Sequence, residues 1–245
     1  MTAHDYLERV REILAHYEDE QADVFDAAAT LVIDAFDNGG AVYCHHLGHG
    51  LEGDSIHRAG GLVGVKRFDF NVRVNAEVPA CRRQTEPGPA DRDLEQVRFA
   101  VRQSGLRPGD VMVLASVSGK NRAPVELALA CAEAGMRTIA FSALPYTQNV
   151  TSLHPSGKRL YEVADVTIDL RAPYGDAAVT VPGIDVAVLP VSGVAMAAGA
   201  WLLWGRVMER MAAAGNPPSV LMSVNRDGGP DYNQTSEAAF DQRGY

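Results

Sequence analysis

The stretch from Val111 to Ala134 constrains this chain more than any other, because it joins a buried strand to a helix through a polar turn. The run from Val111 to Ala115 is entirely apolar, and its length is typical of a strand that is buried on both faces. From about Arg122 to Ala134 the pattern is that of an amphipathic helix, which ends at Gly135, a common helix terminator. Together these patterns predict one strand–turn–helix unit of an α/β sheet.

Small polar residues build the turn itself, in the order Ser116, Val117, Ser118, Gly119, Lys120 and Asn121. The first N–H groups of a helix have no partners within the helix and lie at the positive end of its dipole. The turn is therefore a candidate anion site, in which hydroxyl and amide side chains add further donors. The alternative is a simple N-cap, in which Ser118 or Asn121 closes the helix and no ligand binds.

Strand and helix patterns alternate along most of the chain, which predicts a doubly wound parallel sheet flanked by helices. We expect one domain over residues 1–245, with a long helical arm at residues 1–38 that is either solvated or packed on a second subunit. Residues 226–245 have little to bury, and we expect them to be frayed or to wrap a partner. Further predictions are strands at 41–44, 137–142, 166–170 and 220–224, helices at 93–104, 158–163 and 191–214, and a hairpin or a dimer contact within 171–188.

Composition argues against several classes of partner. The net charge of −9 disfavours nucleic acid and anionic membrane surfaces. The stretch from Val186 to Trp204 comes nearest to a membrane span, but its Pro190 and Ser192 favour a strand, a turn and a buried helix. The cysteines, Cys44, Cys81 and Cys131, are widely spaced, which predicts no disulfide framework and a reducing cytoplasm.

The segment S-V-S-G-K-N, Ser116 to Asn121, resembles the phosphosugar loop of sugar isomerase (SIS) domains, which usually reads S-x-S-G-x-T or S-x-S-G-x-S. Asn121 stands here at the final hydroxyl position. The likeness extends over about residues 41–225, and its other segments resemble one subgroup of phosphosugar isomerases: 58–62, 108–121, 156–169 and 174–177. The resemblance implies a SIS fold, a homodimer or homotetramer, and an anionic sugar that is held by Ser116, Ser118, Gly119, Lys120 and Asn121.

The chain departs from the SIS pattern after its first strand, where SIS domains read G-x-G-x-S. His46 stands at the first glycine and Gly48 at the serine, so a phosphate-binding hydroxyl is lost. We still expect His46 and Gly48 to border the substrate. The nearby histidines, His45, His46 and His49, are candidates for recognising a sugar group of different charge.

Candidate acids and bases follow in a segment predicted to be helical over residues 49–59. His49 and Glu52 lie three residues apart, as do Asp54 and His57, so each pair shares a helix face. A histidine and a carboxylate on one face suit general acid–base chemistry, and they also suit a divalent metal. Because no H-E-x-x-H signature is present, we expect no metal and no other cofactor. The simpler alternative is surface ion pairing between Asp54 and Arg58.

A second group of candidates follows the strand predicted at 137–142. Tyr146, Thr147 and Ser152 are placed to line a site at the carboxyl end of that strand, where ligands bind in open α/β sheets. His154 lies in the same loop and is our second candidate acid. Its alternative role is that of a capping or exposed histidine.

The resemblance implies an aldose–ketose isomerase that acts on a phosphorylated or otherwise anionic sugar through an enediol. Glu52 or Asp54 would be the base, and His49 or His154 the acid. Two alternatives stay open at this point. One is a sugar-phosphate sensor without chemistry, and the other is an amino-sugar-phosphate lyase or etherase that uses a glutamate for elimination.

Overall fold

The computed structural model describes residues 2–45, 53, 55–73, 77, 79–82 and 91–245. Its centre is a sheet of five parallel strands, with order β2-β1-β3-β4-β5. The strands are β1 Val42–His45, β2 Val65–Phe68, β3 Val111–Ala115, β4 Arg137–Ser142 and β5 Val166–Asp169. The predicted doubly wound α/β fold is confirmed.

Helices cover both faces of this sheet. They are α1 Thr2–Glu20, α2 Ala22–Asp37, α3 Arg92–Gln103, α4 Arg122–Glu133, α5 Ser192–Ala213 and α6 Gly229–Arg243. Strand β3 shows why both faces are apolar, because its residues alternate between two cores. Val111, Val113 and Ala115 pack with α1, α2 and α5, whereas Met112 and Leu114 pack with α3 and α4. The central strand is buried at every residue.

The N-terminal segment is helical as predicted, but it forms two helices, α1 and α2, rather than one long helix over residues 1–38. The break falls at Gln21, whose backbone leaves the helical region with φ −119° and ψ 11°. Helix α1 packs on its own chain, where the Tyr17 hydroxyl donates to the Ala195 carbonyl at 2.9 Å. Leu7 and Leu14 on the same helix stay exposed. Assembly into a dimer or tetramer through such residues stays a prediction.

The C-terminal segment also differs from its prediction, because residues 229–243 form helix α6 on the body of the protein. Asn233 makes two hydrogen bonds to the backbone of Met222, at 2.7 and 2.9 Å. The Phe240 ring packs so close to Gly64 that a Cβ there would lie 2.9 Å from it. The expectation of a frayed tail is therefore wrong, and contact of this segment with a partner stays a prediction.

Three local predictions have different outcomes. The antiparallel pair of β6 Ala177–Val179 and β7 Val188–Pro190 confirms the hairpin, and a dimer contact of this segment stays a prediction. The segment predicted as a helix over 158–163 forms only a 3₁₀ turn, Leu160–Glu162. Val220 makes a single antiparallel bridge to Leu62 and no strand.

Within the described residues, no helix combines the length and apolar character needed to cross a bilayer.

Candidate functional site

The loop between β3 and α4 turns its carbonyl groups inward. Four of these carbonyls accept hydrogen bonds from the neighbouring β4 edge and the 152–160 loop. Ser142 Oγ donates to the Ser116 carbonyl at 2.8 Å, and the Ala143 amide donates to the Val117 carbonyl at 3.0 Å. The Leu160 amide donates to the Gly119 carbonyl at 2.8 Å, and the Leu153 amide donates to the Lys120 carbonyl at 2.9 Å. The loop is therefore fixed from below by its backbone rather than by its side chains.

In contrast to its carbonyls, most backbone amides of this loop have no partner among the described residues. The backbone amides of Val117, Ser118, Lys120 and Asn121 donate no hydrogen bond to any described residue. Asn121 is the N-cap of α4, but its side chain makes no capping bond, and the first turn of α4 carries no acidic residue. Among the described residues no side chain caps this helix, which contradicts the capping part of the simple N-cap alternative, and the binding of a ligand there stays a prediction. The amides at the positive end of the helix have no hydrogen-bond partner among the described residues.

Gly119 is the residue that lets the loop turn so tightly. Its φ is +61°, a region that favours glycine. A Cβ at this position would lie 2.6 Å from Thr147 Oγ1 and 2.9 Å from Ser142 Oγ. Thr147 therefore packs directly against the loop at Gly119. Its buried hydroxyl makes no hydrogen bond within the described residues.

A cavity of about 560 Å³ opens above this loop. Of the predicted binding residues, Ser116, Ser118 and Asn121 line it, and so does Tyr146 from the loop after β4. Gly119 and Lys120 belong to the same loop but do not line the cavity. The remaining lining residues are Ala115, Val117, Ala123, Pro124, Gly175 and Asp176.

Asp176 is the functional candidate that sequence reasoning missed. Asp176 lines the cavity, and its carboxylate accepts hydrogen bonds from Ser192, with 2.9 Å from the amide and 2.6 Å from the hydroxyl. These bonds hold the carboxylate at the N-terminal end of α5. Gly175 and Asp176 both have positive φ, +82° and +67°, which turns the chain sharply at this point. The sequence signal was the Gly-Asp pair, which is typical of such a turn.

His154 does not line this cavity. Its ring is buried, and Nε2 donates to Glu126 Oε2 at 2.7 Å. Because the Ser156 amide donates to Nδ1 at 3.1 Å, Nδ1 is the acceptor nitrogen and Nε2 carries the proton. Arg98 binds the other oxygen of Glu126. His154 is not among the residues that line the cavity, so its predicted role as an acid gains no support from this geometry.

An ion pair in the 152–162 segment braces the same region. Arg159 Nε donates to Glu162 Oε2 at 2.9 Å, and Arg159 Nη1 donates to the Thr147 carbonyl at 3.0 Å. The Arg159 guanidinium, followed by the Arg159 backbone amide, lowers the pKa of Glu162 to about 2 by hydrogen bonding to its carboxylate. The pair thus ties the loop after β4 to the loop that supports Gly119.

The other predicted site residues lie outside the described residues: His46, Gly48, His49, Glu52 and Asp54. His45, the last residue of β1, is buried, with Nδ1 2.5 Å from the Phe68 carbonyl and its ring stacked on Phe70. Among the described residues, no three His, Cys, Asp or Glu side chains are grouped to hold a metal ion. The expectation of no metal and no cofactor stays a prediction.

Comparison with known proteins decides the family. The profile of the SIS domain family matches residues 5–143 of this chain, which include β3, its loop and α4. The chain belongs to the SIS domain family. The resemblance seen in the Ser116–Asn121 loop is therefore confirmed at the level of the family.

Whole-length relatives agree with this assignment. A UPF0309 protein of Streptomyces coelicolor is 32% identical over 94% of this chain and 92% of its own length. A UPF0309 protein of Shouchella clausii is 31% identical over the same shares. Among solved structures, a phosphoheptose isomerase of Neisseria gonorrhoeae has a TM-score of 0.52 at 16% identity, over 84% of this chain and 95% of the other. That likeness shows the SIS fold alone.

Proposed function

We propose that this SIS protein is an isomerase that interconverts the aldose and ketose forms of a phosphorylated sugar. The observation that carries the proposal is the open end of α4. It offers two serine side chains, and backbone amides that donate to no described residue, to a cavity of about 560 Å³, which has room for a sugar. A fold by itself supports no reaction, so each role is argued from the residues of this site.

The phosphate would lie against the loop. The amides of Ser118, Lys120 and Asn121 and the hydroxyls of Ser116 and Ser118 would donate to its oxygens. Because the carbonyls of the loop are already bonded to β4 and the 152–160 loop, the amides keep their orientation when the ligand enters. The dipole of α4, with no acidic residue in its first turn, adds a favourable field.

The reaction needs one base that removes a proton from a carbon next to the carbonyl and returns it to the neighbouring carbon. Among the described residues, Asp176 is the carboxylate that lines the cavity, and its two hydrogen bonds from Ser192 fix its orientation. Each oxygen keeps a free lone pair for a proton. We assign Asp176 as the base candidate of the described cavity, beside Glu52 and Asp54, and His49 as the candidate acid.

A binding function without chemistry is the second candidate, and one observation favours it. Both oxygens of Asp176 are engaged by Ser192, and no histidine of the described residues lines the cavity. A sensor would use the same phosphate loop and leave the sugar unchanged. The acid–base chemistry therefore decides between the two candidates.

One experiment separates them. The protein is incubated in D₂O with a panel of aldose and ketose phosphates, and NMR follows solvent deuterium at the carbon next to the carbonyl. An isomerase incorporates deuterium and forms the partner sugar, whereas a sensor shifts ligand resonances only. Formation of an unsaturated or cleaved product would instead support the lyase alternative. We expect Asp176→Asn to abolish exchange while binding persists, and binding without exchange in the wild type would overturn the isomerase.

A further inference from the structure

His16 of helix α1 is buried between two carboxylates. Only 9% of its side chain is exposed, and neither ring nitrogen makes a hydrogen bond within the described residues. Nδ1 lies 3.3 Å from Glu20 Oε2, and Nε2 lies 3.7 Å from Asp169 Oδ2. Buried polar atoms are almost always hydrogen-bonded, so the two nearby carboxylates are the partners that this ring has to accommodate.

The protonation state of His16 determines how strongly it is held to these carboxylates. A protonated imidazole carries an N–H on each nitrogen, so it can donate to Glu20 and Asp169 together. A neutral imidazole carries one N–H, and its other nitrogen turns a lone pair towards a carboxylate, which is itself an acceptor. Even on the side that keeps its proton, the neutral ring makes a hydrogen bond about half as strong as a charge-assisted one. Loss of the proton therefore weakens the tie between His16 and Asp169.

The other charged groups near His16 come from its own helix and from the segment after β5. In the described part of the chain, the charged residues that line the same cavity as His16 are Arg9, Glu12, Asp19, Glu20 and Arg171. The β6–β7 hairpin, the segment after β4 and the start of α5 add no charged side chain to that wall. Burial, followed by the charge of Asp169, raises the pKa of the Tyr17 hydroxyl, which therefore stays neutral. Within this described set, only His16 is of the residue type that ordinarily changes charge between about pH 5 and 8.

Asp169 links His16 to the backbone of two neighbouring segments. Its second carboxylate oxygen, Oδ1, accepts from the Leu144 amide at 2.8 Å and from the Arg171 amide at 2.9 Å. Arg171 has a φ of +53°, which is unfavourable for a residue with a long side chain, so the bond to Asp169 helps to hold its backbone there. The orientation of this one carboxylate therefore determines where both segments begin.

These two segments carry the part of the candidate substrate cavity that lies outside the β3–α4 unit. Leu144–Thr147 forms a short helix that includes Tyr146, and the chain after β5 leads to Gly175 and Asp176. Tyr146, Gly175 and Asp176 all line the cavity, and its other described lining residues belong to β3, its loop and α4. Asp169 is thus a positioning residue for one side of the cavity, although it does not line the cavity itself.

We propose that protonation of His16 regulates ligand binding at this site through Asp169. With the proton in place, His16 holds Asp169 Oδ2, and Oδ1 keeps its two backbone amides in position. Without the proton the carboxylate is less restrained, so the segments of Tyr146 and Asp176 are held less firmly. A ligand is therefore bound more tightly at mildly acidic than at mildly alkaline pH. The regulation rests on the proposed function for its ligand, whereas the coupling itself is a property of the ligand-free protein.

The coupling is tested first by NMR of the full chain without ligand, between about pH 5.5 and 8. We expect the Tyr146 ring and the Gly175 amide to shift with the same midpoint as the His16 ring, and this component should vanish in His16→Gln. His4→Gln is the matched control. His4 lies on the same helix, with Nε2 4.0 Å from Glu8 Oε1, but its side chain is 73% exposed. This control should leave the shifts of Tyr146 and Gly175 unchanged.

Regulation is tested next with the dissociation constants of sugar phosphates from the aldose and ketose panel. Because a phosphate monoester itself titrates at about pH 6, the wild type and His16→Gln are compared at each pH, so that the titration of the ligand cancels. We expect equal constants at about pH 8. At about pH 5.5 the variant should bind about fivefold more weakly, the lower end of typical coupling between two sites.

Asp169→Asn is a second variant, for the case that His16→Gln fails to fold. It keeps an oxygen for the two backbone amides and removes the charge that attracts protonated His16, so Tyr146 should no longer follow the His16 titration. Two results would overturn the proposal. In one, the Tyr146 and Gly175 shifts do not follow His16 in the wild type or persist in His16→Gln; in the other, the ratio of the two dissociation constants stays constant with pH. If no sugar phosphate binds, the proposed function fails, and the ligand-free NMR still decides the coupling.

Discussion

Gln21 closes a pair of hydrogen bonds on the backbone of Asp169, which lies at the end of β5. Its Nε2 donates to the Asp169 carbonyl at 2.8 Å, and its Oε1 accepts from the Asp169 amide at 2.7 Å. Strand β5 is at the edge of the sheet, so its outer backbone groups have no neighbouring strand. The Gln21 side-chain amide therefore takes the two hydrogen bonds that a neighbouring strand would make with Asp169. Gln21 can reach Asp169 because it lies at the break between α1 and α2.

Gln21→Ala should destabilise the protein by about 2–4 kcal/mol, because it leaves a buried amide and a buried carbonyl without partners. Urea unfolding of the variant and the wild type measures this difference. The control is Gln234→Ala on α6, at an exposed position where we expect almost no change. Equal stability of the two variants would show that water replaces the Gln21 amide.

Gly119→Ala should disrupt the phosphate loop. The new methyl group would meet the Thr147 and Ser142 hydroxyls while the backbone holds φ at +61°. Gly109→Ala is the matched control, because Gly109 also has positive φ, +89°, but open space around its Cβ position. We expect about 1 kcal/mol of destabilisation at Gly109 and at least twice that at Gly119. Chemical unfolding and sugar-phosphate binding of both variants test this, and equal effects would refute the steric argument.

The Arg159–Glu162 pair should contribute stability that depends on pH. The pKa of Glu162 is about 2 in the folded protein, below its ordinary value of 4.5, because Arg159 hydrogen-bonds the carboxylate. A lowered folded-state pKa means that the contribution is complete above about pH 4.5. It is lost as the pH falls towards 2.

The measurement is the free energy of unfolding of the wild type and of Glu162→Gln, taken between pH 6 and the lowest pH at which the fold persists. The gap between the two proteins should be largest near neutral pH and should narrow below about pH 4.5. A gap that stays constant across this range would contradict the assigned cause. Because the pair is partly exposed, we also expect added salt to reduce the gap.

His154→Ala should lower stability without removing the ligand site. The substitution leaves the buried Glu126 carboxylate without its imidazole partner, which we expect to cost about 2–4 kcal/mol. Sugar-phosphate affinity should stay within about threefold of the wild type, since His154 does not line the cavity. His4→Ala, at an exposed position of α1, is the control. Loss of isomerisation in a His154→Ala protein of wild-type stability would restore His154 as the acid.

Local patterns predicted the elements that determine the site. The apolar run Val111–Ala115 is β3, residue for residue, and α4 begins at the predicted Arg122. In both cases the determining signals lie within the segment: burial on two faces for the strand, and polar and glycine boundaries for the helix. The resemblance in the loop between them led to the correct family.

Long-range contacts explain what the sequence could not show. The partner of Gln21 lies 148 residues away, and the partner of Asp176 is 16 residues further along the chain. Helix α6 fully buries only Gly229, so its apolar pattern is too weak to predict a helix. His154 lies in a loop, as catalytic residues often do, but its ring is hydrogen-bonded to Glu126 of helix α4. Such pairings depend on how distant segments meet.

The most direct test of the central claim is the dissociation constant of a sugar phosphate for the wild type and for Ser118→Ala, measured by calorimetry with a panel of aldose and ketose phosphates. Ser104→Ala, at the far end of α3, serves as the matched control. If the loop after β3 holds the phosphate, Ser118→Ala should raise the constant more than about tenfold, and Ser104→Ala should leave it unchanged. An unchanged constant for Ser118→Ala, in a protein that binds the ligand, would contradict the account.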